Sequence, residues 1–183
     1  MKYVIGLVLL FGVMCLSQTA LSQVGVVSPL GYVETPLHVG YVRKEKDGRE
    51  TLEVFPHLDI LRKEEVCGIA IGRFVFALKN LPDMNWYDAM ESAQEIRIAG
   101  KQAFLPRGRS GDYNVSQSQM EDFNATAELL REHGIRVDDL KDCAYWTSNE
   151  ANDGHANRFF TGCGGTPNGP KDIPHSVRVV VSY

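Results

Sequence analysis

The sequence predicts an α+β domain on three grounds. An alternating apolar segment opens the core ("VCGIAIGRFVFALKNLP", 66–82), two stretches with helical spacing come after it, and the chain closes on the β-rich "SVRVVVSY". Strands come first, then a pair of helices, then strands separated by long polar loops. The 183 residues suffice for one ordinary core with small additions, and 44% apolar with 23% charged residues is a globular composition. The net charge of −4, with Lys and Arg scattered, lacks the basic stripe that nucleic-acid binding or an anionic membrane surface would need.

The first residues read as an export signal. Lys2 supplies a positive start, Val4 to Leu16 is uncharged and too short to span a bilayer comfortably, and Ala20-Leu21-Ser22 places small residues at a cleavage site after Ser22. Residues 1–22 are therefore expected to be a removed signal peptide, and the protein to act in the periplasm, at the outer surface or outside the cell. Cys15 lies in the apolar run, but Met14 before it makes a poor lipidation site, so a lipid anchor is the minor alternative.

Residues 23–62 read as a β-leaning accessory segment. In "YVRKEKDGRETLEVF" the Asp47-Gly48 pair sits between partly alternating flanks, a hairpin signal. The core domain then runs over 63–183. Its first segment, 66–82, reads as two strands or one strand bent at Gly72, ended by Pro82. "NWYDAMESAQEIRIAG" is a helix: Trp86, Ala89, Met90, Ala93 and Ile96 or Arg97 share a stripe, Asn85 caps the start with Asp88 three residues on, and Gly100 is placed to end it. A connector occupies 101–114, where "RGRSG" tempts a phosphate-loop reading but lacks the Lys-Ser/Thr spacing. The second helix spans 116–134, with Met120, Phe123, Ala127 and Leu130 as its apolar stripe, Ser116 or Ser118 as its cap, and Gly134 as its stop. In the last segment Val177, Val179, Val181 and Tyr183 alternate as one closing strand, and Val180 indicates that its other face is partly covered.

Between the second helix and that strand lies "DCAYWTSNEANDGHANRFF" (142–160). Its first half is a core strand, and its second half reads as a polar loop. With 163–175, stiffened by Pro167, Pro170 and Pro174, it gives the candidate ligand-binding residues: Asn149, Glu150, Asn152, Asp153, His155, Asn157, Asn168, Lys171 and Asp172. Cys143 and Cys163 flank the region 20 positions apart, and a bridge there would close a loop worth about 3 kcal/mol. Three buried free thiols, or a bridge using Cys67, are the alternatives. Asn149, Glu150, Asn152 and Asp153 offer calcium-type oxygens, but Asn, Asp and Gly are also what exposed turns use. His155, Cys163 and His175 lack zinc spacing. Catalytic roles for Cys163 or Ser148 with His155 and Asp153 have no recognisable surroundings. The expectation is no cofactor, no metal and no enzyme activity.

Several local words, in order, carry a resemblance: Trp86-Tyr87 with Ala89-Met90, Leu105-Pro106, Tyr145-Trp146-Thr147-Ser148 and Val177-Arg178. Together, over roughly 39–183, they resemble exported bacterial domains of C-type-lectin-like fold, and are most similar to the Lcl C-terminal-like family. The resemblance implies two helices on a small antiparallel sheet, first and last strands adjacent, long projecting loops, and Trp86 and Trp146 filling the core. The formylglycine-generating enzymes share that broad fold, but this chain is shorter and lacks a matching cysteine pair. The expected function is that of an adhesive binding domain for a glycan or surface protein. The rivals are a filament subunit that contacts other subunits, a retroelement-diversified display protein, and an uncharacterised enzyme.

Overall fold

A computed structural model describes residues 34–58, 62–107, 115–141, 144–160 and 168–183. The expected signal peptide, Cys15, residues 108–114 of the connector and the predicted Cys143–Cys163 bridge lie outside the described residues. The architecture is α+β, with two helices and sheets that are antiparallel in all pairings but one. No described helix is long and apolar enough to cross a membrane.

The larger sheet has the order β12-β4-β3-β1-β2. Its strands are β1 (Glu34–Lys44), β2 (Glu50–His57), β3 (Val66–Ile71), β4 (Phe74–Ala77) and β12 (Val180–Ser182). The hairpin predicted at Asp47-Gly48 is present, with Gly48 at φ +82° and the Arg49 amide donating to the Asp47 carboxylate at 3.0 Å. From residue 34 on, the segment read as accessory is built into this sheet: β1 pairs with β3, and Val39 and Tyr41 are buried. β3 and β4 form a tight hairpin at Gly72-Arg73, so 66–82 starts as two strands. Gly68 is sterically required, because a Cβ there would lie 2.2 Å from the Phe76 carbonyl oxygen.

The second sheet runs β10-β9-β8-β11-β5, from β5 (Leu81–Met84), β8 (Ala144–Asn152), β9 (His155–Phe160), β10 (Asn168–Pro170) and β11 (His175–Val177). Pro82 therefore sits within a strand rather than ending one, and β5 is an edge strand, where a missing N–H is tolerated.

Both helices form where the caps predict. Helix α1 (Trp86–Glu95) starts at Asn85, whose side chain accepts from the Asp88 amide at 2.9 Å while its own amide donates to the Asp88 carboxylate at 2.8 Å. Helix α2 (Gln117–Glu132) opens with a full capping box between Ser116 and Gln119, and Gly134 comes just after its end at φ +79°. The stop of α1 differs from expectation. The helix ends before Ile96, and Ala99-Gly100, both at positive φ, turn a small hairpin between β6 (Arg97–Ile98) and β7 (Lys101–Gln102).

Two cores share the larger sheet. Ile69, Phe76 and Val180 face α2 and meet Phe123, Ala127 and Leu130. Ala70, Val75 and Val181 face the other way, against Ala89 and Ala93 of α1, Leu105 and Trp146. The double cover explains why Val180 and its neighbours are all apolar. It also corrects the single closing strand. Residues 175–177 pair with β8 and β5 in the second sheet, whereas 180–182 pair with β4 in the first. The last strand therefore neighbours β4, and β4 separates it from β3, the first strand of the 63–183 unit.

Arg178 marks the crossing. It is fully buried, donates to the Asn80 side chain and the Asp138 carbonyl at 2.8 Å each, and lies over the Phe123 ring. Burial lowers its pKa to about 10. Cys67 is half-buried and free, and burial pushes its thiol to about 12, which suits a small packed hydrophobe and not a nucleophile.

Candidate functional site

The polar stretch after Trp146 is not an irregular loop. It is the β8–β9 hairpin, turned at Asp153-Gly154, with β10 added along β9. Asn149, Glu150 and Asn152 belong to β8, His155 and Asn157 to β9, and Asn168 to β10. The strand register shifts between Trp146 and Glu150, where Thr147 donates to the Asn157 carbonyl at 2.9 Å and accepts from the Asn149 amide at 3.3 Å. Such a bulge re-aims the strand just before its exposed tip.

Two tryptophans fix the base of this hairpin. Trp146 is fully buried, and its indole N–H donates to the Met84 carbonyl at 2.9 Å. Trp86, at the start of α1, donates to the Thr147 carbonyl at 2.8 Å. The two indoles thus tie β5, α1 and β8 together; Trp146 fills the core, whereas Trp86 is only half-buried at its edge.

Lys171 holds the tip. Its backbone N–H donates to the Gly154 carbonyl at 3.0 Å, and its carbonyl accepts from Trp86 N–H at 2.8 Å. Its ammonium pairs with Glu150, donates to the Asp153 carbonyl at 3.0 Å, and lies 4.9 Å from the Trp86 ring centre and 5.5 Å from that of Tyr87. The side chain is 4% exposed. The hydrogen bond to Glu150 raises its pKa, so the ammonium stays charged. Of the predicted binding residues, Lys171 is thus a brace, and Glu150 keeps an exposed carboxylate fixed by that brace.

The other candidates divide by exposure. Glu150, Asn152, Asp153, Asn168 and Asp172 are exposed; Asn149, His155 and Asn157 are half-buried. The Asn152 side-chain oxygen accepts from Gly154 N–H at 3.0 Å and lies 3.2 Å from His155 Nδ1, so it shapes the turn. Several oxygens that calcium would need are therefore already engaged within the protein. Among the described residues no three His, Cys, Asp or Glu side chains converge on a metal-sized site.

His175 and Arg158 join the sheet behind the hairpin. Arg158 donates to the Asn168 carbonyl at 2.7 Å and to His175 Nε2 at 2.9 Å. His175 also meets Trp146 edge-on, and its neighbour Ser176 donates to Asp83 at 3.1 Å. Burial, and then the Arg158 charge, lower the His175 pKa, so the ring is neutral and accepts.

Sequence reasoning missed Tyr87 and Ile173. They are 55% and 48% exposed, two of the three large apolar side chains exposed among the described residues. Tyr87 packs edge-on against Trp86 and beside Lys171; Ile173 lies two residues beyond Lys171 in the turn closed by its amide on the Pro170 carbonyl. Helical phase held the available signal: a residue next to Trp86 on a helix points about 100° away from it.

These elements make a small α+β domain that presents a braced polar hairpin beside two exposed apolar side chains. No family model, curated protein or solved structure matches the chain.

Proposed function

We propose that the protein is an exported, non-catalytic binding domain that recognises a glycan at a cell envelope or surface. The reading takes the finer fold to be C-type-lectin-like, on the resemblance of the Trp86, Leu105-Pro106, Trp146 and Val177-Arg178 words. The single observation that carries it is the exposed Tyr87 ring gathered with the tip residues Glu150 and Asp153 around the Lys171 brace. An exposed tyrosine ring offers the apolar patch on which a sugar face stacks, and amide and carboxylate groups beside it take hydroxyl hydrogens. The brace holds both sets in place before binding, which lowers the ordering cost.

A glycan array tests this. The mature protein should bind a defined subset of glycans. Tyr87→Ala should weaken that binding about tenfold or more, a loss of the size expected for a central aromatic contact. An Asn152/Asp153/His155 triple alanine variant should abolish it. Circular dichroism of each variant checks folding. Binding that survives in both folded variants would move the site elsewhere, and a surface protein captured with the same Tyr87 dependence would replace the glycan as ligand.

A further inference from the structure

We propose that the Arg158–His175 contact is an acid-released latch on the binding face: when His175 takes up a proton, β10 loosens on β9, the Lys171 brace slackens and the glycan is released. This regulation rests on the reading of that face as a glycan site.

Arg158 joins β10 to β11. β10 is three residues long and pairs with β9 through Asn168, Gly169 and Pro170. The Arg158 guanidinium donates to the Asn168 carbonyl at 2.7 Å. The strand lies directly against that group, because a Cβ at Gly169 would come within 2.8 Å of Arg158 Cζ and 2.9 Å of Nη1. The same guanidinium donates to His175 Nε2 at 2.9 Å. So short a strand makes few backbone hydrogen bonds, and Pro170 has no N–H to give, so a side-chain contact weighs heavily in holding it.

The latch reaches the binding face through the chain itself. Lys171 follows Pro170 directly, and β11 opens at His175, so the two ends of the latch flank the brace. The Lys171 amide bonds to Gly154 and its carbonyl to Trp86, and its ammonium pairs with Glu150 and donates to the Asp153 carbonyl. These contacts gather Tyr87, Glu150 and Asp153 around it.

A proton on His175 reverses the chemistry of the contact. The neutral Nε2 offers a lone pair to Arg158. Protonated, it is a donor facing a donor and a cation facing a cation. The groups around the ring do not rescue that arrangement. β9 supplies Arg158, and β5 supplies Asp83, whose carboxylate accepts from Ser176 at 3.1 Å. β8 supplies the uncharged Trp146, edge-on at 4.7 Å, and β10 has no ionisable side chain. The connection from β9 to β10, 161–167, carries no Asp, Glu, Lys, Arg or His. The imidazolium is repelled by Arg158 and attracted by Asp83, so the contact with Arg158 is the one that gives way. Burial, and then Arg158, lower the His175 pKa, and Asp83 offsets them in part. The latch is therefore closed at neutral pH and opens as pH falls through a value below the ordinary 6.5.

The test compares the whole protein with His175→Gln, whose side-chain oxygen still accepts from Arg158 but takes up no proton. Amide hydrogen exchange, corrected for intrinsic rates, is followed by NMR from about pH 7.5 down past the midpoint of the His175 ring resonance. In the wild type, protection should fall about threefold or more at the Lys171 amide, which donates to Gly154, and at the Trp86 amide, which donates to Lys171. The fall should share the His175 midpoint, while the Val180 amide, bonded to Phe104, stays protected. His175→Gln should keep its protection throughout. His155→Gln, which removes the other ring of this hairpin, should respond as the wild type does. Glycan binding should weaken by a similar factor over the same range in the wild type and not in His175→Gln. The latch is overturned if Lys171 and Trp86 stay protected through the His175 midpoint, if His175→Gln opens as the wild type does, or if His155→Gln abolishes the response. Its control of the face is overturned if the latch opens and glycan binding is unchanged. A protein that binds no glycan at neutral pH overturns the glycan reading instead, and the exchange data still decide the latch.

Discussion

The molecule contains two hairpins turned by the same dipeptide, and they are held in different ways. In β1–β2, at Asp47-Gly48, charged residues pair across the strands: Arg43 lies 3.5 Å from Glu53 and Lys44 3.5 Å from Glu50, with both basic side chains largely exposed. Such pairs contribute little, and the hairpin owes its place to Val39 and Tyr41 in the core beneath α2. In β8–β9, at Asp153-Gly154, the tip is gripped from outside by Lys171, through two carbonyls and one carboxylate. The turns differ too. Gly48 takes a left-handed conformation, and Gly154 is not among the glycines with positive φ. One hairpin is therefore specified locally and solvated at its end. The other is specified by a segment far along the chain, and its end is a polar edge braced by Lys171.

The two hairpins should diverge most when the base of the second is removed. Trp146→Ala empties a fully buried site and leaves the Met84 carbonyl without its donor, so it should cost about 3–5 kcal/mol, read as a lower urea midpoint. Phe55→Ala, in the half-buried β2 of the first hairpin, should cost clearly less in the same measurement.

Removing the brace comes next. Lys171→Met keeps the length of the side chain but drops the ammonium. Hydrogen–deuterium exchange should quicken at the Gly154 and Trp86 ends of the second hairpin's support and stay unchanged over 34–57. Equal protection in both hairpins of the variant would show that the brace does not hold the tip.

The two turn glycines should respond unequally. Gly48→Ala places a Cβ at φ +82° and should destabilise by about 1 kcal/mol, whereas Gly154→Ala, whose Cβ would meet nothing closer than 3.9 Å, should be near neutral. Thermal melts of the two variants compare them directly.

Acid should separate the hairpins as well. His175 is neutral in the fold, with a pKa below its ordinary 6.5, because burial and Arg158 oppose its charge while Asp83 only partly offsets them. The unfolded chain then takes up the proton more readily. Stability from this group is complete above about 6.5 and falls as pH drops from there through the lower folded value. The effect is modest for a half-exposed group. His175→Gln should flatten that part of the stability–pH curve, and an unchanged slope would remove His175 as its source.

Much of the fold was legible because its signals are local. Asn85 and Ser116 cap helices within one turn of themselves, and Gly134 and Asp47-Gly48 act within a few residues. Legibility failed where a residue's partner lies far away. Gly100 looked like a helix stop, but the chain had already left the helix, and Ala99-Gly100 turned a small hairpin. Asp153-Gly154 was as good a turn signal as Asp47-Gly48, yet its flanks carry Asn, Glu and His, which read as a loop. Those flanks are strands because β10 and Lys171 engage them, and Lys171 is remote in sequence from Glu150.

Short windows of sequence were enough for the α+β class, the two helices with their caps, the first hairpin, and the aromatic residues that build the core. Each rests on backbone preference or side-chain periodicity, which a short window contains. Long-range packing was needed to divide "SVRVVVSY" between two sheets at a buried arginine, to make Lys171 a brace, and to leave Tyr87 and Ile173 exposed beside the polar tip. These depend on which distant segments share one desolvated space, and composition is the same whether a lysine faces water or lies over two aromatic rings.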